Sequence, residues 1–158
     1  MLPPNLQDAQ KLLYAPNNLT LQSFILQPES QEYSASSFLL NNHRIQFRSA
    51  KITPTKIGQF VTFWKRINSG PIMPFDVRDE FDFLIVNVRT PHHFGQFVFP
   101  KETLLEQGYI SQNGVGGKRA MRVYPSWDKP DSKQALKTQT WQLKYFVVAG
   151  PSIINHLD

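Results

Sequence analysis

The sequence contains no cysteine among its 158 residues. Disulfides, thiolate metal sites and cysteine nucleophiles are therefore excluded by count. No window approaches the run of about 18 apolar residues that a membrane-crossing helix needs. The opening MLPPNLQDAQKLL lacks the basic patch and apolar stretch of a secretory signal, so a soluble cytoplasmic protein is expected. Histidines are few: His43, His92, His93 and His156. No two stand four apart and none adjoins a glutamate, so the usual helical metal-ligand pattern is missing. The glycine cluster GVGGK has Arg119 where a phosphate loop places Ser or Thr on magnesium, and Gln112 where its first glycine belongs. Neither a cofactor nor a metal is expected. Internal repeats and low-complexity runs are also absent.

What is present is an apolar fraction of 41% with 13% aromatic residues. That is enough for one substantial core, because a domain of this length buries roughly 70% of its unfolded surface. The net charge of +5 is unevenly distributed. Residues 1–43 carry Lys11 against Asp8, Glu29 and Glu32, a balance of −2, while residues 44–158 carry sixteen Lys/Arg against nine Asp/Glu, a balance of +7. The cationic excess belongs to the folded body, which favours phosphate-bearing partners.

Periodicity predicts a helix over 5–14, capped by Asn5 and ended by Pro16, with Leu6, Ala9, Leu12 and Leu13 on one side. About twenty ambiguous residues follow. A hairpin turned at Asn41-Asn42 is expected next, with Ile45 and Phe47 inward and Arg44, Gln46 and Arg48 outward. GQFVTFWKR reads as a strand with Val61 and Phe63 on one face and Phe60 and Trp64 on the other. FDFLIVNVR, nearly continuous in apolar residues, reads as the central strand. FGQFVFP and RAMRVYP are further strands, and KETLLEQG a short helix closing at Gly108. A helix over 132–148, capped by Asp131 with Gln134 completing a capping box, ends the chain. Strands flanked by helices indicate an α+β fold built on an antiparallel or mixed sheet.

Two stretches carry cations without balancing acids. Arg44, Arg48, Lys51, Lys56, Lys65 and Arg66 fall within 23 residues that hold no carboxylate. In the second, Lys118, Arg119 and Arg122 precede a helix on which a spacing of about 100° per residue aligns Lys133, Lys137, Thr140 and Lys144. Cations at phosphate spacing beside flat rings suit a polyanion; Trp64, Tyr124 and Trp127 are the candidate stacking groups. The acidic run PFDVRDEFDF gathers Asp76, Asp79, Glu80 and Asp82, and a magnesium-dependent nuclease, active or degenerate, is the alternative it raises. The lysine-bearing partner triplet occurs only at Asp131-Ser132-Lys133, in an expected helix start. A second alternative is an adaptor whose basic face meets an acidic protein.

Three segments together resemble the MepB family of small bacterial proteins: EYSASSFLLNNHRIQFRSAKITPTKIGQFVTFWKR, PFDVRDEFDFLIVNVR with GQFVFPKETLLEQGYIS, and GKRAMRVYPSWDKPDSKQALKTQTWQLKYF. The resemblance covers about residues 29–148. It implies an α+β fold like the DNA-recognition region of a type IIS restriction endonuclease without the cleavage domain, and nucleic-acid binding of modest strength and weak sequence preference. No activity is established for the family, whose name reflects a drug-export gene neighbourhood. Residues 1–28 are expected as an N-terminal helix and linker, and 29–158 as the family domain. The resulting expectation is a DNA- and/or RNA-binding protein without catalytic activity or membrane association, monomeric by preference. Its phosphate contacts are expected from Arg48, Lys51, Lys56, Lys65, Arg66, Lys118, Arg119, Arg122, Lys133, Lys137 and Lys144.

Overall fold

The structure is a computed structural model and describes residues 2–149. His156 and the end of the expected domain at residue 158 lie outside these residues. The fold is α+β, one domain around a mixed six-stranded sheet. The sheet is assembled from β1 (Leu21–Leu26), β2 (Ser36–Leu40), β3 (His43–Ser49), β8 (Phe83–Thr90), β9 (His93–Pro100) and β11 (Phe146–Ala149), in the spatial order β1-β2-β3-β8-β9-β11. The remaining strands are β4 (Lys51–Ile52), β5 (Gln59–Thr62), β6 (Lys65–Arg66), β7 (Ile72–Met73) and β10 (Ala120–Val123). Among the described strands of this sheet, β3 and β8 are the parallel pair, Phe47 standing opposite Ile85. Parallel neighbours require a long crossover, and residues 50–82 provide it, carrying β4 to β7 across one face of the sheet.

That crossover produces a second layer, the three-stranded sheet β10-β5-β4. Its inward residues Val61, Phe63, Met121 and Val123 meet Leu84, Val86, Val88, Phe97 and Phe99 of the main sheet in one core. Phe63 stacks on Phe75 with centroids 4.2 Å apart. The short helix α2 (Lys101–Glu106) contributes Leu104 to this core, and α3 (Lys133–Gln142) packs Trp141 against it. On the opposite face, Phe38, Ile45, Phe47 and Ile85 are covered by the N-terminal segment through Leu6, Ala9, Leu13 and Tyr14. No helix among the described residues is long and apolar enough to cross a membrane.

Several local expectations are corrected. In the N-terminal helix-and-linker region, α1 (Pro4–Ala9) packs into the second core and β1 is an edge strand paired with β2. The first helix starts at Pro4, ahead of Asn5, and continues as a π-helical turn over Gln10–Tyr14. Asn5 is thus not its cap; the Asn5 amide instead donates to Ser49 Oγ at 2.8 Å. That contact begins a polar chain, in which Tyr14 donates to Gln96, Gln96 to Asn87 and Asn87 to Ser49. The last helix is capped by Ser132, whose hydroxyl accepts from the Ala135 amide, not by Asp131. It ends at Gln142 rather than 148, and Phe146–Ala149 instead pairs antiparallel with β9. The β-branched pair Val147-Val148 favours that extended form.

Candidate nucleic-acid interface

Alternation sorts the small sheet into two faces. Gln59, Val61, Met121 and Val123 are buried, whereas Phe60, Thr62, Ala120 and Arg122 lie on the open side. The registers place Arg122 opposite Phe60 on one flank and Lys51 opposite Phe60 on the other. An aromatic ring therefore stands between two cations in one cross-strand row. The Arg122 guanidinium is 5.8 Å from the Phe60 centroid, and the Lys51 ammonium is 5.1 Å from that of Tyr33, which meets Phe60 edge-on at 6.3 Å. Arg122 is steadied by neutral acceptors: Nη1 donates to Thr53 Oγ1 at 3.0 Å and to the Ile57 and Gly58 carbonyls. Exposed Lys56 lies in the β4–β5 loop, and exposed Lys118 and Arg119 immediately precede β10.

The other expected cations divide into three groups. Arg48 does point away from Ile45 and Phe47, but the crossover layer covers that face and leaves the side chain 1% exposed. It therefore cannot contribute to an open surface. Lys65 and Arg66 are engaged by acids, Lys65 with Asp79 at 2.7 Å and Arg66 with Glu29 at 2.8 Å. Lys133, Lys137 and Lys144 are exposed as expected. Lys133 and Lys137 stand at helical positions of α3 opposite buried Gln142, which faces β10, and Lys144 lies in the 3₁₀ turn that follows; none of them joins the buried Arg48 in one groove. Among the described residues, Lys51, Lys56, Lys118, Arg119, Arg122, Lys133, Lys137 and Lys144 form no ion pair.

The three proposed stacking rings are all partly engaged. Trp127 stacks on His93 at 4.7 Å and meets Phe146 edge-on. Tyr124 lies over Gly58, where an added Cβ would sit 2.8 Å from the ring. Trp64 is partly buried beneath the Arg66 guanidinium, 5.4 Å away. Phe60 and Tyr33, neither of which periodicity marks for binding, are the rings beside Lys51 and Arg122. The missed signal was register: Phe60 becomes central only once Lys51 and Arg122 are known to flank it.

The acidic run has a structural task. Asp76 is 2% exposed and accepts from Ser111 Oγ at 2.7 Å, the Gly114 amide at 2.8 Å, and the Arg78 amide and Nε. The Ser111 hydroxyl foremost, with the Gly114 and Arg78 donors, holds this carboxyl well below the usual carboxylate range despite burial. Asp79 caps the Asp76 amide and binds Lys65. Asp82 accepts from the Arg44 guanidinium and amide, which lower its pKa, the side-chain bond contributing most. The carboxylates thus face separate partners. Among the described residues no three His, Asp or Glu converge to hold a metal.

The MepB-like family model matches residues 27–148, from just after β1 into β11. The chain belongs to the MepB-like family. It is also similar to the crystal structure of MepB, at 32% identity and a TM-score of 0.79, over 94% of this chain and 97% of that one. No curated protein matches the chain. The structural likeness leaves 6% of the chain unmatched, less than the 26 residues before the family model begins. MepB therefore shares at least part of the α1–β1 segment as well as the family region.

Proposed function

We propose that the protein binds single-stranded nucleic acid, DNA and/or RNA, on the open face of the β10-β5-β4 sheet, with weak sequence preference and without catalysing a reaction on it. The carrying observation is the row Lys51–Phe60–Arg122, a ring between two cations that have no carboxylate partner among the described residues. Aromatic rings on a sheet receive unstacked bases, while flanking cations follow the phosphates. Lys56, Lys118 and Arg119 extend the cationic edge, and the rail of Lys133, Lys137 and Lys144 forms a separate basic strip. A cytoplasmic location follows from this reading, since nucleic acid is the partner, and no membrane contact is involved. The acidic run supports no nuclease role in this reading, because Asp76 serves as the anchor of the 111–114 loop.

The test is fluorescence anisotropy with labelled single- and double-stranded DNA and RNA of mixed sequence. Single strands should bind more tightly than duplex, and Phe60→Leu should cost about 1–3 kcal/mol, the range for one stacked base. The Lys51→Gln/Arg122→Gln double variant should weaken binding uniformly across sequences. Preference for duplex, or indifference to both variants, refutes the sheet-face assignment.

A further inference from the structure

Among the described residues, Arg48 is the largest side chain held wholly in the interior. None of the ion pairs among the described residues includes it. Its Nη1 donates to the Phe47 carbonyl at 2.8 Å and lies 3.5 Å from Gln46 Oε1, while its buried Nε has no partner. The guanidinium rests against Phe63 and Phe75, 5.3 and 6.0 Å from their centroids. Burial draws its pKa down to about 10, so it remains a cation at neutral pH. A charge held out of water without a counterion is costly to folding. Such a cost persists where function requires it.

Arg48 borders a cavity of about 270 Å³ together with Gln27, Gln46, Trp64, Lys65 and Arg66. Glu29 is also on its wall but is bound to Arg66, and Lys65 is bound to Asp79. These pairs cancel, leaving the single positive charge of Arg48. A planar guanidinium at the wall of a recess suits an oxyanion. Trp64 supplies a flat wall, and the Gln27 and Gln46 amides supply polar edges. The volume lies just under the range of about 300–1,000 Å³ typical of small-molecule sites, which admits a small phosphate-bearing group and excludes a longer segment.

We propose that this recess, between β3, β6 and the 27–30 turn, is a site for one phosphate-bearing group, with Arg48 as its oxyanion donor and Trp64 as the wall for the attached base. The phosphate belongs either to a free nucleoside monophosphate or to the phosphorylated end of a strand. The site is distinct from the sheet face and stands without it.

Calorimetry and thermal shift with inorganic phosphate, adenosine, adenosine monophosphate and an oligonucleotide with or without a 5′-phosphate test the site. Phosphate and the monophosphate should bind and raise Tm, and adenosine should not. Arg48→Met should lose about tenfold or more in affinity, the value of a charged hydrogen bond, yet keep or raise Tm, because an apolar side chain replaces a buried unpaired ion. Trp64→Ala should weaken the monophosphate more than phosphate. Lys51→Gln/Arg122→Gln should leave monophosphate affinity unchanged, which separates this site from the sheet face. A 5′-phosphate effect on the oligonucleotide that exceeds monophosphate binding assigns the strand end as ligand; the reverse assigns the free nucleotide. Wild-type protein that binds none of the phosphate probes overturns the proposal, as does Arg48→Met binding like wild type. If Arg48→Met does not fold, unchanged discrimination between phosphate probes and adenosine in Trp64→Ala, with no relative loss for the monophosphate, overturns the nucleotide assignment.

Discussion

Asp76 shows how one side chain can turn a local cluster of acids into a structural anchor. Its carboxylate gathers donors from Arg78, Ser111 and Gly114, joining the start of the crossover's last turn to the loop before β10. Its folded pKa lies below the unfolded value of about 4. The stability it contributes is therefore complete above that value and is lost as pH falls toward the folded pKa. Asp82, lowered by Arg44, acts with the same sign. Thermal melts should show a steady Tm at neutral pH and a decline on acidification below about 4, and Asp76→Asn should flatten part of that decline while lowering Tm at pH 7. An identical acid limb in the variant would contradict this role. The sequence shows the acids and their spacing, but the partners of Asp76 at Ser111 and Gly114 are 35 and 38 residues away. Arg48 is a related case: alternation gave its face correctly, but only the tertiary layer decides whether that face meets open solvent or lines a recess.

At the scale of elements, α3 is fastened to the edge of β10 by glutamine rather than by apolar packing alone. Gln142 is fully buried; its Oε1 accepts from the Tyr124 amide at 2.9 Å and its Nε2 donates to the Arg122 carbonyl at 3.0 Å. The side-chain amide thereby takes the place of a neighbouring strand's peptide group. Gln139, one turn earlier, donates to the carbonyls of Tyr124, Pro125 and Asp128. Gln142→Leu orphans two backbone groups and should cost about 1–3 kcal/mol each in urea unfolding; a neutral result would show that the edge is satisfied by other means. At β9, a Cβ on Gly95 would lie 2.8 Å from both the Phe146 ring and the Val147 carbonyl. Gly95→Ala should therefore loosen β11 and lower stability by about 1–3 kcal/mol, the usual cost of overpacking. Amide exchange over 146–149 reads this directly, and unchanged protection there would contradict it. The strands β2, β3, β5 and β10 were legible from alternation in their residue order, and β8 and β9 from apolar runs that are buried on both faces. The extended β11 was not, since helical spacing continues through Leu143 and Phe146 while the competing pairing with β9 is long-range. The edge role of Gln142 was hidden too, because helix periodicity alone does not say which backbone a buried amide will meet.

For the whole molecule, the excess of +7 over residues 44–158 resolves into cations already balanced and cations without a carboxylate among the described residues. Lys65, Arg66, Arg44, Arg78 and Arg89 hold the fold together through their acids. Lys51, Lys56, Lys118, Arg119 and Arg122 lie on or beside the small sheet, and the α3 lysines form the second strip. The α+β class and the basic character of the body were readable from sequence, whereas the division between balanced and unbalanced cations depends on pairings such as Arg66 with Glu29, 37 residues apart. The most direct test of the sheet-face account is the salt dependence of single-stranded binding. With the five small-sheet cations on phosphates, log affinity should fall against log salt with a slope of about −3.5, and Lys51→Gln/Arg122→Gln should reduce its magnitude by about 1.4. A slope near zero, or one that the double variant leaves unchanged, would contradict the account.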